Sequence, residues 1–447
     1  MRFAHDTVDP SFRLARARIP ARQRKARLLC ADGVLSSPGP VWLFVPLLLL
    51  GLASVAPSLA LDLTSAIARA RERSPAVQAS EHQLGAARAN WYQAGRRPNP
   101  LAELRSENWR LTPDLRAQDP ELDFFATLSQ PLELGGKRAA RQAVASAGID
   151  VARAEARAVR TQLALETAKH FLAVVRAREE LRAIAESEES IRSLYNVAKH
   201  RVSEGRLAEA EQLKLETELG RLRTLSGEVR ANQSVALQQL RQLLGEPALD
   251  PAALEEPSFT VPPAEDDTSL VEQVLRKHPE SQAMAAEKER AQHSFELERR
   301  RRIPDPTLTA GYKRTAARDT LVAGVLIPVP VFDTNWGNVQ RAMAELMAAN
   351  ARMEATDQRL RGELLGLLQH WRALAARVRT ARADLLEPAA RVRHAARVAF
   401  EEGSGDILGL VDAERVYLEV QRTSLAARTE AALAAQTWEI FTQEDDE

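Results

Sequence analysis

The chain has 447 residues, 61 basic and 61 acidic side chains and only 5% aromatics, a composition suited to long helices rather than a thick globular core. Neutrality hides a split: residues 1–60 hold eight Lys/Arg against three Asp/Glu, so the remainder is mildly acidic, which argues against nucleic acid as a partner. The single cysteine, Cys30, argues against a disulfide scaffold or a thiolate metal centre.

Residues 1–60 read as a basic leader and signal peptide. Val41 to Ala60 is the one long apolar run; it follows the basic segment and ends with Ser58 and Ala60 at the small-residue spacing a signal peptidase needs. A run of about 20 apolar residues also suffices to span a bilayer. Pro46, Pro57 and the cleavage-like end favour removal, and with it export. Cys30 precedes the run and would leave with it.

After Ala60 the chain contains itself twice. A first structural repeat, 61–245, and a second, 268–441, flank a proline- and acid-rich segment, 246–267, that reads as an extended linker; 442–447 is an acidic tail. Ser65 to Pro75 mirrors Ser269 to Pro279, and Arg96 to Pro100 (RRPNP) mirrors Arg301 to Pro306 (RRIPDP). A period of about 200 residues is too long for a solenoid unit and marks a duplicated half. Each half predicts a short helix, a second helix, two strands, a very long helix, a turn and a long helix.

The strand candidates are Asn99 to Trp109 with Leu122 to Leu134, and Pro306 to Lys313 with Thr320 to Phe332, the last starting apolar on both faces. The long helix from Lys137 to Val202 carries a heptad seam. Val144, Val151, Ala158, Leu165 and Leu172 alternate with Ala140, Ala147, Ala154, Thr161, Ala168 and Val175; the phase slips near Glu179 and resumes at Leu181, Ile184, Ile191, Tyr195, Ala198 and Val202. Its counterpart keeps the spacing through Leu360, Leu364, Leu367, Trp371, Leu374, Val378, Ala381 and Leu385, and Pro388 should bend that helix without ending it. Gly205 and Gly403 supply the reversals into partner helices at Leu207–Leu243 and Ile407–Ile440, and Glu216 and Glu414 fall at the same step after their glycines. Four strands are too few to close a barrel, and lipid tolerates β-structure only with every edge paired. Several chains must therefore close a sheet together, or these strands never enter a membrane.

The duplication, the LSQPLELGGKR segment (Leu128 to Arg138), the VLIPVPVFDTNWGNVQRA segment (Val325 to Ala342) and the two glycine turns resemble the TolC-type outer-membrane factor family, and LSQPLELGGKR is most similar to its CzcC-like heavy-metal branch. The resemblance covers nearly everything after Ala60. It implies a mainly α fold with a small β part: duplicated antiparallel helical hairpins forming an α-barrel, plus four strands per chain in a trimeric twelve-stranded outer-membrane β-barrel. It further implies the passive exit duct of a tripartite efflux system, of the RND heavy-metal cation type, embedded in outer-membrane lipid. The implied partners are two further copies of the chain, a periplasmic adaptor (membrane fusion) protein and an inner-membrane RND pump. A duct for drugs or for type I protein secretion, or a soluble periplasmic coiled-coil scaffold, are the other readings.

No catalytic constellation is expected: the histidines lack ligand spacing, no nucleotide loop or nucleophile elbow occurs, and no cofactor is implied. By resemblance, the gate lies at the helical tip, with Glu211, Asp412 and Asp406 as pore candidates, although solvation on an exposed helix face accounts for such acids equally well. Gly405 stands where the family commonly has a basic latch residue and Gly409 where another aspartate occurs. Gly205 and Gly403 are the expected tip turns where the adaptor docks, with Leu207, Ile407, Leu213 and Val411 as contacts or as hairpin packing. Met343, Met347 and Met353 suit a soft cation in principle, but Met343 and Met353 fall on the seam, which favours packing. Trp91, Trp109 and Trp336 flank the strands, where interfacial rings or ordinary packing are both consistent.

Overall fold

The computed structural model describes residues 61–108, 122–256, 258, 260–315 and 318–442. The leader with Cys30, Trp109 and the tail beyond Thr442 lie outside the described residues.

Both halves start the same way. Helix α1 (Leu63–Arg73) is capped by Asp62, whose carboxylate accepts from the Ser65 amide at 3.3 Å, and α2 (Pro75–Ala94) opens with proline at its first position, where no amide is needed. In the second half Asp266 caps α5 (Asp267–Lys277) through the Ser269 amide at 3.2 Å, and Pro279 opens α6 (Pro279–Arg300). Strands β1 (Leu101–Glu107) and β2 (Asp123–Pro131) then lead into helices α3 (Lys137–Ser203) and α4 (Glu209–Leu244). Strands β3 (Thr307–Thr315) and β4 (Arg318–Leu326) lead into α7 (Trp336–Thr380), a π turn (Ala381–Leu386), α8 (Glu387–Glu401) and α9 (Ile407–Thr442).

Helix α3 organises the rest. Its 67 residues rise about 100 Å at 1.5 Å each, and it packs against α1, α2, α4, α6 and α9. Several neighbours around one rod require small side chains on several faces: Ala140, Ala147, Ala154, Ala164 and Ala168 are all buried. The expected seam is accordingly wider than two rows. Val151 and Leu172 are buried, whereas Val144, Ala158 and Leu165 are only partly so, and Phe171 and Val174 complete the apolar cluster with Leu240 and Leu244 of α4 and Leu61. At the phase slip a carboxylate enters the interior: Glu180 is buried and ion-paired with Arg422 of α9.

The second hairpin departs from its expected register. Leu368 is fully buried where Leu367 is only partly so; farther on, Leu385 is 49% exposed, because the π turn inserts an extra residue and passes the seam to Leu386 and Ala389. The same turn explains how the helix continues through Pro388. Its wider bonding, with the Glu387 amide reaching the Arg382 carbonyl, relieves the proline ring's conflict with the preceding turn. Met343 is not on the seam; Val339, Ala342 and Ala349 are, and Met343 and Met347 are 38% and 59% exposed. The segment expected as an extended linker is strapped down. Leu249 and Leu254 are buried, Leu254 bridges Leu61, and Arg178 and Arg241 donate to the carbonyls of Pro251, Leu254 and Leu249.

The four strands form one antiparallel sheet in the order β1-β2-β3-β4, so the β2–β3 pairing joins the two halves. Strand β4 ends at Leu326 instead of Phe332, since Pro328 and Pro330 have no amide to give a ladder. Below β2 the chain swings into α3 through Gly135 and Gly136, both left-handed at φ 68° and 70°. Lys137 pins this corner to the other half, bonding Asp305 at 2.8 Å and the Ile303 carbonyl, while Asp305 also accepts from the Leu134 amide at 2.8 Å. Gly135→Ala is expected to lower stability by about 1–2 kcal/mol, since a Cβ at that φ is strained and also meets Ile303. Gly148→Ala, on open helical surface, should instead stabilise by up to about 1 kcal/mol. Thermal unfolding of the two variants checks the contrast.

Candidate functional site

Opposite residues in an antiparallel ladder share a face, so the register sorts the sheet side by side. One face carries Glu103, Arg105, Glu107, Asp123, Thr127, Ser129, Thr309, Lys313, Arg318 and Thr320, with Leu101, Phe125, Val322 and Leu326 among them. It is knitted by Ser129–Thr309 at 2.9 Å, Arg105–Glu107 at 3.1 Å, and by Arg105 and Lys313 lying 4.6 and 4.9 Å from the Phe125 ring centre. The opposite face carries Leu104, Phe124, Ala126, Leu128, Leu308, Ala310, Leu321, Ala323 and Val325, with charge only in the end row of Arg314 and Asp319. Leu104 and Leu321 on that face are 76% and 91% exposed. As expected, β4 is apolar on both faces from Leu321 on: Leu321, Ala323 and Val325 lie on the apolar side, and Val322 and Leu326 lie among the polar residues of the other. Among the described residues, strands β1 and β4 each have one unpaired edge. A sheet that is mostly polar on one side, apolar on the other and unpaired at both edges among the described residues can be continued only by strands from elsewhere before it enters hydrocarbon.

The segments flanking the sheet explain the two motifs. Arg138 of the GGKR corner donates to the Gly95 carbonyl at 2.6 Å, and Arg141, one turn on, reaches the Ala94 and Arg96 carbonyls while holding Glu133, so the two arginines cap the end of α2. In the other motif Asn335, left-handed at φ 58°, caps α7 and donates to the Glu298 carbonyl and carboxylate at 2.9 and 3.0 Å. Trp91 and Trp336 are 41% and 64% exposed near these corners.

At the other end, Gly205 and Gly403 take φ 73° and 82° and turn α3 into α4 and α8 into α9. Ile407 and Val411 are 2% and 5% exposed and Leu207 is partly buried against the same cluster, so these three pack the hairpins; Leu213 is 52% exposed. Asp406 accepts from the Gly409 amide at 3.1 Å as a helix cap, and a Cβ at Gly409 would press on that carboxylate. A side chain at Gly405 would crowd Ala399 and Phe400 at the end of α8. Glu211 pairs with Lys214 at 2.6 Å, and exposed Asp412 acts on Arg415. Within one chain these acids do not gather into a single cluster; each is held by its own helix.

Sequence reading missed the residue that binds the two turns together. Arg201, at the end of α3, donates to the Phe400 and Glu401 carbonyls at 2.9 and 2.7 Å and lies 5.0 Å from the Phe400 ring centre. One guanidinium thus satisfies the carbonyl end of the other hairpin's helix. A basic residue in the last helical turn is a weak signal alone, and its partner is about 200 positions away.

Above the turns, two buried carboxylates titrate in opposite directions. Burial pushes Glu218 upward, but Arg221 and Arg415, the latter at 2.6 and 2.8 Å, override it and hold it below the usual glutamate range. Burial likewise pushes Glu414 upward, and here it wins. Ser190 donates at 2.5 Å, but Arg393 stays 4.0 Å away, drawn to Glu186 at 3.0 Å and stacked 3.8 Å from the Tyr417 ring centre. Glu216, at the matching step in the first half, is exposed. Glu218 therefore adds stability above the ordinary glutamate pKa that is lost as pH falls through its depressed value. Glu414 contributes fully below the ordinary value, and that contribution is lost as pH rises through its raised value. At pH 7, Glu218→Gln is expected to destabilise by about 2 kcal/mol, and Glu414→Gln to be neutral or stabilising. Denaturation midpoints at pH 7 and pH 5 check this, the gain from Glu414→Gln shrinking at the lower pH.

Among the described residues no group of three or more His, Cys, Asp or Glu is placed to hold a metal, and no helix is long and apolar enough to cross a membrane. His278 is buried against Phe441, its ring centre 4.7 Å away, with Nδ1 accepting from the Glu280 amide.

The family model described as "Outer membrane efflux protein" matches residues 66–246 and 270–438, one match per half. The chain is 28% identical over 379 residues to the cobalt-zinc-cadmium resistance protein CzcC of Cupriavidus metallidurans, covering 84% of this chain and 88% of that protein. It is 24% identical over 330 residues to the nickel-cobalt-cadmium resistance protein NccC of Alcaligenes xylosoxydans xylosoxydans, covering 69% and 70%. Its fold superposes on the outer-membrane channel OprN with a TM-score of 0.74 at 17% identity, over 85% of this chain and 89% of that one.

Proposed function

Since the chain belongs to the outer membrane efflux protein family, we propose that three copies close their sheets into a twelve-stranded barrel and carry it inward with their helical hairpins, as the exit duct for heavy-metal cations. The family makes it an efflux conduit of the outer membrane and not an enzyme. The observation that carries the assembly is the open two-faced sheet. Its Leu104 and Leu321 face requires lipid or a partner, its Glu103, Arg105 and Lys313 face suits an aqueous lumen, and its two free edges must be paired before either strand can sit in hydrocarbon. Four strands per chain reach a closed cylinder with three chains. Removal of residues 1–60 during export delivers the chain to that membrane.

The cation class rests on the relatives, whose names state cobalt, zinc, cadmium and nickel resistance. A periplasmic adaptor and an inner-membrane RND pump complete the path, the adaptor meeting the turns at Gly205 and Gly403, where Leu213 offers exposed apolar surface and Leu207 and Ile407 set the hairpin shape. Glu211 and Asp412 serve as the acids that narrow the tip in the trimer; Asp406 serves the cap of α9.

Cysteines introduced at Ala102 in β1 and Ala323 in β4 are expected to join chains into covalent trimers in outer-membrane fractions, with no such product from either single variant. Cells lacking the chain should become sensitive to cobalt, zinc or cadmium, and restoring it should return resistance. A water-soluble monomer would end the duct proposal. Sensitivity to drugs or loss of polypeptide secretion, with metal resistance intact, would move the cargo to those classes.

A further inference from the structure

Where the apolar face of the sheet ends, a groove of about 520 Å³ opens between the foot of β2 and the segment entering β1. Leu132 and Leu134, 37% and 45% exposed, continue the alternation of Phe124, Leu128 and Gln130 and so extend the apolar face into its wall, with Pro98 and Pro131 beside them. Two guanidiniums line the same groove. Arg97 is exposed and engages no carboxylate or carbonyl among the described residues. Arg138 spends its Nε on the Gly95 carbonyl, which leaves its terminal nitrogens available. The one acid in the lining, Glu133, is already neutralised by Arg141 at 3.1 Å and shorter. The Gln130 amide, bonded to the Pro98 and Pro131 carbonyls, braces the rim. Apolar wall and unspent positive charge thus meet at one level.

We propose that this groove binds the phosphate headgroup of an anionic phospholipid, with Arg97 and Arg138 on the phosphate and Leu132 and Leu134 against the start of the acyl chains. A guanidinium matches a phosphate with paired donors, and the acyl chains continue onto Leu128 and Leu308 without leaving the apolar face. The site rests on the outer-membrane trimer proposed above.

The test is native mass spectrometry of the full trimer reconstituted with dioleoylphosphatidylglycerol or dioleoylphosphatidylcholine. Wild type should retain phosphatidylglycerol preferentially, and Arg97→Gln should retain about five-fold less with the trimer intact, given the usual contribution of one arginine near anionic lipid. Arg138→Gln should act likewise, and Arg379→Gln, on the exposed surface of α7, should not. A photo-crosslinking residue at Leu134 should label phospholipid. Equal retention by wild type and Arg97→Gln overturns the site, as does equal protection by inorganic phosphate alone, and labelling of a neighbouring copy at Leu134 shows that protein covers the groove instead. An intact trimer without preferred lipid removes only this site; a wild type that never trimerises removes the duct and the site together.

Discussion

Everything in this fold answers to the backbone hydrogen bonds at the two free edges of a four-stranded sheet. In water those amides and carbonyls can be solvated; in hydrocarbon each one left unpaired costs several kcal/mol. In the assembly proposed above, the apolar face formed by Leu104, Leu128, Leu308 and Leu321 meets hydrocarbon, and other copies close the edges of β1 and β4. The rest of the chain serves that closure. Gly135 and Gly136 aim α3 away from β2, Asn335 does the same for α7 after β4, and Lys137 bonded to Asp305 holds the two corners together.

The duplication is a symmetry that the chain uses and then breaks. Both halves share capped first helices, a proline-led second helix, a hairpin of strands and a glycine turn. They differ where the hairpins meet. Helix α3 is continuous for 67 residues and packs on five neighbours, whereas its counterpart is interrupted by a π turn ahead of Pro388. Glu414 is buried and Glu216 exposed at the same step. Such asymmetry gives the second hairpin a face that the first lacks: Arg393, Glu186 and Glu414 share one guanidinium between a buried and an exposed carboxylate, a contact worth less than the fully satisfied Glu218 cluster nearby.

Long, periodic elements were legible because their signal is repeated many times. The seam of α3, the glycine reversals and the strand-rich segments each announced themselves through spacing, and the family resemblance rested on two short segments whose structural roles are now plain in Arg138, Arg141 and Asn335. Less legible were features that depend on a single inserted residue or on partners far apart in the chain. The extra residue of the π turn left Leu385 exposed and moved burial to Ala389. The proline-rich segment after Gly245 looked unanchored, because nothing local betrays the arginines Arg178 and Arg241 that hold its carbonyls. Asp406 reads as a pore acid by position, and its bond to the Gly409 amide adds a helix-cap role that position alone does not reveal.

By itself, the amino-acid sequence determined the helical hairpins and the strand count, since periodicity and the number of strand-like segments are local or additive properties. Only the tertiary structure decided which side of the sheet is polar, that β2 pairs with β3 across the two halves, and that Arg201 ties one turn to the other. Those follow from register and from contacts spanning about 180 to 200 residues. A shift of one position would exchange every face, and no local pattern specifies it.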